Sequence, residues 1–278
     1  MPVSDDILSG LIDAALLAGA AIMEVYSTDF SVDHKDDASP VTEADQRAEA
    51  IILEKLADLL PGVPVVAEEA VSAGGRPELT SDRFILVDPL DGTREFVARN
   101  GEFTVNIALI EGSHPVAGVV YAPVLGLVYA GVVGAGAGVA NVVKGAITDW
   151  QAARVREIPE GGLTVLASRS HCGPETEDLL QRLPVAERIS AGSSLKFCRI
   201  AEGVADFYPR LGTTMEWDTA AGDAILRAAG GRVVTLDGHP LAYGKHGSGP
   251  VKDFTNPWFM AVGHIADGDL PALSAASI

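Results

Sequence analysis

The chain has 278 residues, of which 47% are hydrophobic and 6% aromatic, so it can bury one large core or two smaller ones and is not expected to be disordered. Acidic residues outnumber basic ones by 38 to 20, and the net charge of -18 excludes a basic surface for long nucleic acids or anionic membranes. A small anionic substrate would therefore need a bound divalent cation as its source of positive charge.

Cysteine spacing and the first residues both predict a cytoplasmic protein. Cys172 and Cys198 have no second Cys or His at zinc-site spacing, which indicates free thiols in a reducing compartment. The segment 1–6 lacks the positive charge and the cleavage pattern of a signal peptide.

Two amphipathic helices are predicted near the start of the chain. Ser4 is a suitable N-cap for the first, and Thr42 for the second, which should stop at Pro61-Gly62. Asp45 occupies the third position of the second helix, where it could simply be a capping acid.

Two short apolar runs, 63–66 and 84–87, are predicted strands, and each is followed by carboxylates. Glu68 follows the first run and Asp88 the second. A further strand is expected over 103–109.

The segment 112–143 contains no Asp, Glu, Lys or Arg and has to be tested as a membrane span. Pro115, Pro123 and several glycines interrupt it, so it predicts a buried hairpin with strands at 116–121 and 127–133 rather than a transmembrane helix. The same apolar stretch would suit a homodimer interface, which leaves the oligomeric state open.

The second half of the chain alternates between strand and helix patterns. Strands are expected at 164–167, near Ile189, at 205–208 and at 232–235, and helices at 175–183, 195–202 and 219–229. The polar stretch 148–158 indicates a boundary. We expect an α+β half over 1–150 with most of the candidate metal ligands, and an α/β half over 151–278.

The hexapeptide Asp88-Pro89-Leu90-Asp91-Gly92-Thr93 carries the strongest chemical signal. It follows a strand, is not helical across Pro89, and spaces two carboxylates so that both can converge on one point together with the Leu90 carbonyl. Gly92 allows close approach of a ligand, and the helix predicted to start at Thr93 favours a phosphate. The alternative is an ordinary Asp-Gly turn.

Two further acidic residues are predicted to lie near Asp88 and Asp91. Glu68 comes from the neighbouring strand end, and Asp218 stands before a predicted helix, where it could also be an N-cap. Several carboxylates packed together repel each other unless a cation neutralises them, so the cluster argues for a metal.

The sequence resembles the inositol monophosphatase-like metal-dependent phosphatases, and within them the bacterial 3′(2′),5′-bisphosphate nucleotidases of the CysQ type. The resemblance covers nearly the whole chain. It rests on segments 39–45, 67–69, 86–96, 99–110, 192–198 and 217–222. The first part of segment 86–96 and Trp217-Asp218 mark the superfamily, whereas Arg94-Glu95-Phe96, segment 100–103 and Ser193-Ser194-Leu195-Lys196 indicate the nucleotidase branch.

The resemblance implies a layered αβαβα sandwich that holds two or three Mg²⁺ ions. The implied ligands are Glu68, Asp88, Asp91, Asp218 and the Leu90 carbonyl. Thr93, oriented by Asp45, and Glu68 are the implied catalytic residues that activate the attacking water.

The resemblance also implies a nucleotide pocket. Its substrate-binding residues are Leu90, Asp91, Gly92, Thr93, His171, Ser193, Lys196, Arg210 and Asp218. His171 could instead be a surface histidine and Arg210 a strand cap. Lys196 lies at a predicted helix start, where the dipole disfavours a cation unless an anion is near.

The expected activity is Mg²⁺-dependent hydrolysis of adenosine 3′,5′-bisphosphate to AMP and phosphate, with 3′-phosphoadenylyl sulfate as a further substrate, inhibition by Li⁺ and a place in sulfur assimilation. An inositol monophosphatase, a sugar-bisphosphate phosphatase and a non-catalytic metal or nucleotide binder stay open as alternatives. Some relatives associate peripherally with the inner membrane, although the charge of -18 argues against electrostatic attachment.

Overall fold

The fold was established from a computed structural model, which describes residues 3–34, 40–75, 77–79, 81–167, 173–246 and 253–265. His171 and Cys172 lie outside the described residues. Seven helices are described: α1 (Asp5–Tyr26), α2 (Glu43–Leu59), α3 (Glu68–Ser72), α4 (Thr93–Val97), α5 (Pro174–Leu180), α6 (Leu195–Ala201) and α7 (Ala220–Ala228).

A seven-stranded sheet dominates the first half. Its strands are β3 (Val65–Ala67), β4 (Arg83–Asp91), β5 (Thr104–Glu111), β6 (His114–Ala122), β7 (Leu127–Val132), β8 (Gly136–Val143) and β9 (Ala146–Ala153), and they lie in chain order. Strands β3 and β4 are parallel, and every later pair is antiparallel. A short two-stranded ladder, β1 (Asp33–His34) and β2 (Pro40–Val41), precedes it.

A five-stranded mixed sheet forms the second half. It contains β10 (Leu163–Ala167), β11 (Val185–Ser190), β12 (Phe207–Arg210), β13 (Arg232–Thr235) and β14 (Phe259–Val262), in the order β11-β10-β12-β14-β13. The pairs β10–β11 and β10–β12 are parallel, whereas β14 runs antiparallel to both β12 and β13.

The elements stack as the αβαβα sandwich that the resemblance implied. One core cluster packs α1 and α2 against one face of the seven-stranded sheet. A second places α6 and α7 between the other face and the five-stranded sheet. A third packs α5 on the outer face of the five-stranded sheet.

The predicted helix starts are confirmed. The Ser4 hydroxyl accepts a hydrogen bond from the Ile7 amide, and Thr42 forms a capping box with Asp45. Helix α1 is long and apolar enough by length and composition to cross a membrane, but half of it is buried inside the protein, as in a core helix. The segment 112–143 forms the predicted hairpin of β6 and β7 and also β8, a third strand that the prediction did not include.

The polar stretch 148–158 does not interrupt the first sheet, because β9 continues to Ala153 and completes it. Five strands were not predicted from the sequence: β1, β2, β8, β9 and β14. The division of the chain near residue 150 stays a prediction.

Candidate metal centre and active site

Two parallel strands bring the first pair of carboxylates together. Ala67 on β3 pairs with Val87 on β4, so the next residues, Glu68 and Asp88, leave the same edge of the sheet side by side. The two carboxyl groups lie close enough for the charge of Glu68 to raise the pKa of Asp88.

A bulge in β4 brings Asp91 to the same face as Asp88. Asp88 pairs with Asn106 and Asp91 with Thr104, so β4 uses one residue more than β5 over this interval. Because Thr104 and Asn106 are two apart, their partners share one face of the sheet. The Leu90 amide donates to Asp88 Oδ1 at 3.0 Å, which stabilises the bulge.

Asp218 enters from the second half of the chain, just before α7. Its Oδ2 accepts a hydrogen bond from the Met215 amide at 2.8 Å, and no side chain caps α7. The alternative interpretation of Asp218 as the N-cap is therefore wrong, and its side chain is oriented by the preceding loop instead.

Asp45 has both of the functions that were considered for it. Its Oδ2 accepts hydrogen bonds from the Thr42 amide and hydroxyl at 2.8 Å, while its Oδ1 accepts one from the Thr93 hydroxyl at 3.2 Å. Thr93 Oγ1 also lies 3.3 Å from the Leu90 carbonyl oxygen. The buried Asp45 thus caps α2 and orients Thr93 with the same carboxylate.

The carboxylate cluster carries excess negative charge: Asp88 is buried, whereas Glu68, Asp91 and Asp218 are half-buried. Burial raises the pKa of Asp88 well above its ordinary value, and the charges of Glu68, Asp91 and Asp218 raise it further. Burial followed by the charges of Asp91 and Glu68 likewise raises the pKa of Asp218. Such a set of oxygen donors fits a hard cation, which would neutralise the mutual repulsion.

Within the described residues, no group of three or more His, Cys, Asp or Glu side chains is arranged so that it could hold a metal ion as it stands. One oxygen each of Asp91 and Asp218 accepts a hydrogen bond from a backbone amide. The oxygen donors of the cluster nevertheless match the chemistry of Mg²⁺ ligands.

Lys196 lies close to this cluster. Its ammonium group donates to the Ser193 and Ala191 carbonyls at 2.9 and 3.2 Å and lies 5.3 Å from the centre of the Tyr208 ring. Burial lowers the pKa of Lys196 to about 8, and the charge of Asp91 acts in the opposite direction. An anion therefore lies near Lys196, as its position at a helix start requires.

Ser193, Arg210 and Gly92, three of the other predicted substrate residues, lie within the described part of the chain. Ser193 has a left-handed backbone (φ 48°), and its hydroxyl lies 2.8 Å from the carbonyl oxygens of both Asp91 and Glu102. Arg210 donates to the Thr213 carbonyl at 3.0 Å, and its buried Nε has no hydrogen-bond partner among the described residues. Its charge acts on Asp218. Gly92, at φ 91°, leaves room for Ser193, because a Cβ there would lie 2.2 Å from Ser193 Oγ.

Three supporting residues were missed by the sequence analysis. Glu49 accepts hydrogen bonds from the Glu69 and Ala70 amides at 2.8 Å and so fixes the start of α3, next to Glu68. Asn106 and Ser194 bond to Asp91. Glu49 follows Asp45 by one helical turn, and Asn106 is a polar residue in an apolar strand, so both carried a usable signal.

The layered fold and the carboxylate cluster match the metal-dependent phosphatase that the sequence resemblance implied. The model of the inositol monophosphatase family matches residues 4–259, and the chain belongs to that family. Proteins named 3′(2′),5′-bisphosphate nucleotidase CysQ are similar over 87% of this chain and 94% of their own length, with 44% identity in Escherichia coli K12 and 43% in Shigella flexneri.

Solved structures of this family have a similar fold over most of the chain. CysQ from Bacteroides thetaiotaomicron, described as a bacterial member of the inositol monophosphatase family, is 40% identical, with a TM-score of 0.76 over 93% of this chain and 97% of that one. Inositol monophosphatase II from Staphylococcus aureus also has a TM-score of 0.76 over 99% of both chains. At 20% identity, the latter shows a common fold alone.

Proposed function

We propose that the chain is a Mg²⁺-dependent 3′(2′),5′-bisphosphate nucleotidase that hydrolyses adenosine 3′,5′-bisphosphate to AMP and phosphate, with 3′-phosphoadenylyl sulfate as a further substrate. Identity of 43–45% to several proteins named as such nucleotidases, over most of the chain, carries this proposal. The buried Lys196 beside Ser193 supports it, because a second phosphate needs a cation away from the metal ligands.

Two or three Mg²⁺ ions would be held by Glu68, Asp88, Asp91, Asp218 and the Leu90 carbonyl. When bound, such ions supply positive charge to the phosphoryl oxygens and make a water molecule more acidic.

Thr93, Asp45 and Glu68 would handle the protons of the attacking water. Because the Thr93 hydroxyl donates its hydrogen to Asp45 Oδ1, its oxygen can accept a hydrogen bond from the water. Glu68 would be the second proton acceptor.

The nucleotide would occupy the space between the carboxylate cluster and α6. The 5′-phosphate is expected at Lys196 and Arg210, the two cations whose charges act on each other there. Ser193, Gly92 and His171 complete the proposed pocket.

A direct test is phosphate release from adenosine 3′,5′-bisphosphate and inositol 1-phosphate side by side, with and without Mg²⁺ and Li⁺. We expect Mg²⁺-dependent, Li⁺-inhibited release with a strong preference for the nucleotide. A preference for inositol 1-phosphate would retain the metal site and refute the nucleotide pocket. Tight calorimetric binding of the nucleotide without phosphate release would identify a non-catalytic binder.

Asp91→Asn tests the metal assignment. This substitution keeps the shape of the side chain and removes its charge, so turnover should be lost while the protein stays folded. Asp149→Asn, at an exposed position of β9, is the matched control and should keep full activity. An active Asp91→Asn variant would refute the assignment.

The setting of the enzyme is also part of the proposal. We place it in the cytoplasm, in sulfur assimilation, with peripheral attachment to the inner membrane and homodimer formation as features to test by fractionation and light scattering. The two halves, 1–150 and 151–278, are proposed as its structural units.

A further inference from the structure

Ser194 occupies the N-cap position of α6, yet its side chain does not cap that helix. A serine at this position usually accepts a hydrogen bond from the second or third amide of its own helix. Here the Ser194 hydroxyl instead donates to the Asp218 carbonyl oxygen at 2.8 Å. Helix α6 therefore lacks the stabilising side-chain cap, and the Ser194 hydroxyl contacts the loop that carries Asp218 instead.

The backbone of the same residue contacts a second candidate ligand. The Ser194 amide donates to Asp91 Oδ2 at 2.7 Å, a charge-assisted hydrogen bond of short length. Ser194 therefore links Asp91, on the seven-stranded sheet, with Asp218, at the start of α7.

Asn106 closes this link into a ring. Its side-chain amide donates to Ser194 Oγ at 2.9 Å and to Asp91 Oδ2 at 3.2 Å. Its Oδ1 accepts a hydrogen bond from the Thr104 hydroxyl at 3.0 Å, which determines the orientation of the amide. Asn106 and Ser194 are each 1% exposed, so water does not compete for these bonds.

We propose that Ser194 and Asn106 are positioning residues that fix the separation and orientation of Asp91 and Asp218 for cation binding. The two carboxylates come from different halves of the chain, and their mutual repulsion would drive the halves apart. The buried ring opposes that repulsion with uncharged donors, so it holds the ligands in place without competing for the cation. This inference rests on the metal site of the proposed function but is independent of the nucleotide.

Ser194→Ala and Asn106→Ala test the proposal from its two ends. We expect the Mg²⁺ concentration for half-saturation to rise by roughly 10- to 100-fold in each, as for other residues that orient metal ligands. Binding is measured without substrate, by calorimetry and by the fluorescence of Trp217, which is buried next to Asp218. The double variant should lose no more than the worse single variant, because one ring is broken in all three.

Thr164→Val is the matched control. It removes a buried hydroxyl that accepts a hydrogen bond from Arg156 and does not touch the carboxylate cluster. It should lower the melting temperature and leave the Mg²⁺ half-saturation unchanged.

Wild-type Mg²⁺ affinity in a folded Ser194→Ala variant would overturn the proposal, as would a loss of affinity in Thr164→Val of the same size. If Ser194→Ala does not fold, Asn106→Ala decides by the same criterion. A wild-type protein that binds Mg²⁺ but releases no phosphate from the nucleotide would refute the proposed function and leave this test intact.

Discussion

Helix α7 packs closely against β6, where the contacting residues are small. Gly118→Ala should therefore disturb the packing of α7 on the sheet. Gly118 lies on β6, and a Cβ there would be 2.5 Å from the Ala221 carbonyl oxygen and 2.9 Å from the Ala224 Cβ. Ordinary contact begins at 3.4 Å, so α7 would have to move away from the sheet by about 0.9 Å.

The magnitude follows from overpacking. Inserting a methyl group into a well-packed core costs about 1–3 kcal/mol, and a clash with backbone belongs at the upper end. Replacing glycine also lowers the conformational entropy of the unfolded chain, which stabilises the folded protein by about 0.4–1 kcal/mol. A net loss of about 2 kcal/mol corresponds to a fall in melting temperature of roughly 4–8 °C for a chain of this size.

Thermal unfolding with and without Mg²⁺ checks this prediction. Asp218 stands two residues before α7, so a shifted helix should also reduce the stabilisation by Mg²⁺. Gly161→Ala is the control, because nothing lies within 4 Å of its Cβ position and its backbone suits any residue. A Gly118→Ala protein that unfolds at the wild-type temperature would refute the packing argument.

Three further changes have defined expectations. Thr93→Val keeps the branched shape but removes the hydroxyl that donates to Asp45, so kcat should fall by roughly 100-fold with little change in KM, as steady-state kinetics will show; an unchanged kcat would contradict its assignment. Glu49→Gln removes the carboxylate charge that faces the Glu69 and Ala70 amides at the start of α3, so Mg²⁺ half-saturation should rise by about tenfold in calorimetry, whereas the exposed Glu54→Gln should not change it. Burial raises the pKa of the Cys198 thiol well above its ordinary value, so its reactive thiolate is suppressed at pH 8. In a Cys172→Ser background, a thiol reagent should therefore label Cys198 slowly until urea unfolds the chain; rapid labelling of the native protein would contradict its burial.

The parts of the fold that depend on local pattern could be predicted from the sequence. The caps at Ser4 and Thr42 and the strand of 232–235 follow from neighbouring residues, and the structure confirms them. The extent of the first sheet could not be predicted, because β9 is exposed on most of its length and has no apolar alternation. Its place in the sheet depends on pairing with β8, which the sequence of β9 does not encode.

In the candidate site, too, residues with a local sequence signal could be predicted, and residues that depend on long-range contacts could not. Asp88 and Asp91 could be selected from one hexapeptide, since their spacing and the glycine are local. Asn106 and Ser194 could not be assigned a role in the same way, because their function depends on hydrogen bonds across 15 and 103 residues of sequence. Glu49 is intermediate, as its helical spacing from Asp45 is local but its partners on α3 are not.

The proposed metal ligands and the proposed pocket residues lie on different elements of the fold. The proposed metal ligands lie on β4, at the start of α3 and before α7, whereas Ser193 and Lys196 lie at the start of α6. Ser194, the N-cap residue of α6, bonds to both Asp91 and Asp218. Substitutions at Lys196 should therefore change substrate preference with little effect on Mg²⁺ affinity. Substitutions at Ser194 should change both, since the metal site and the pocket meet at that residue.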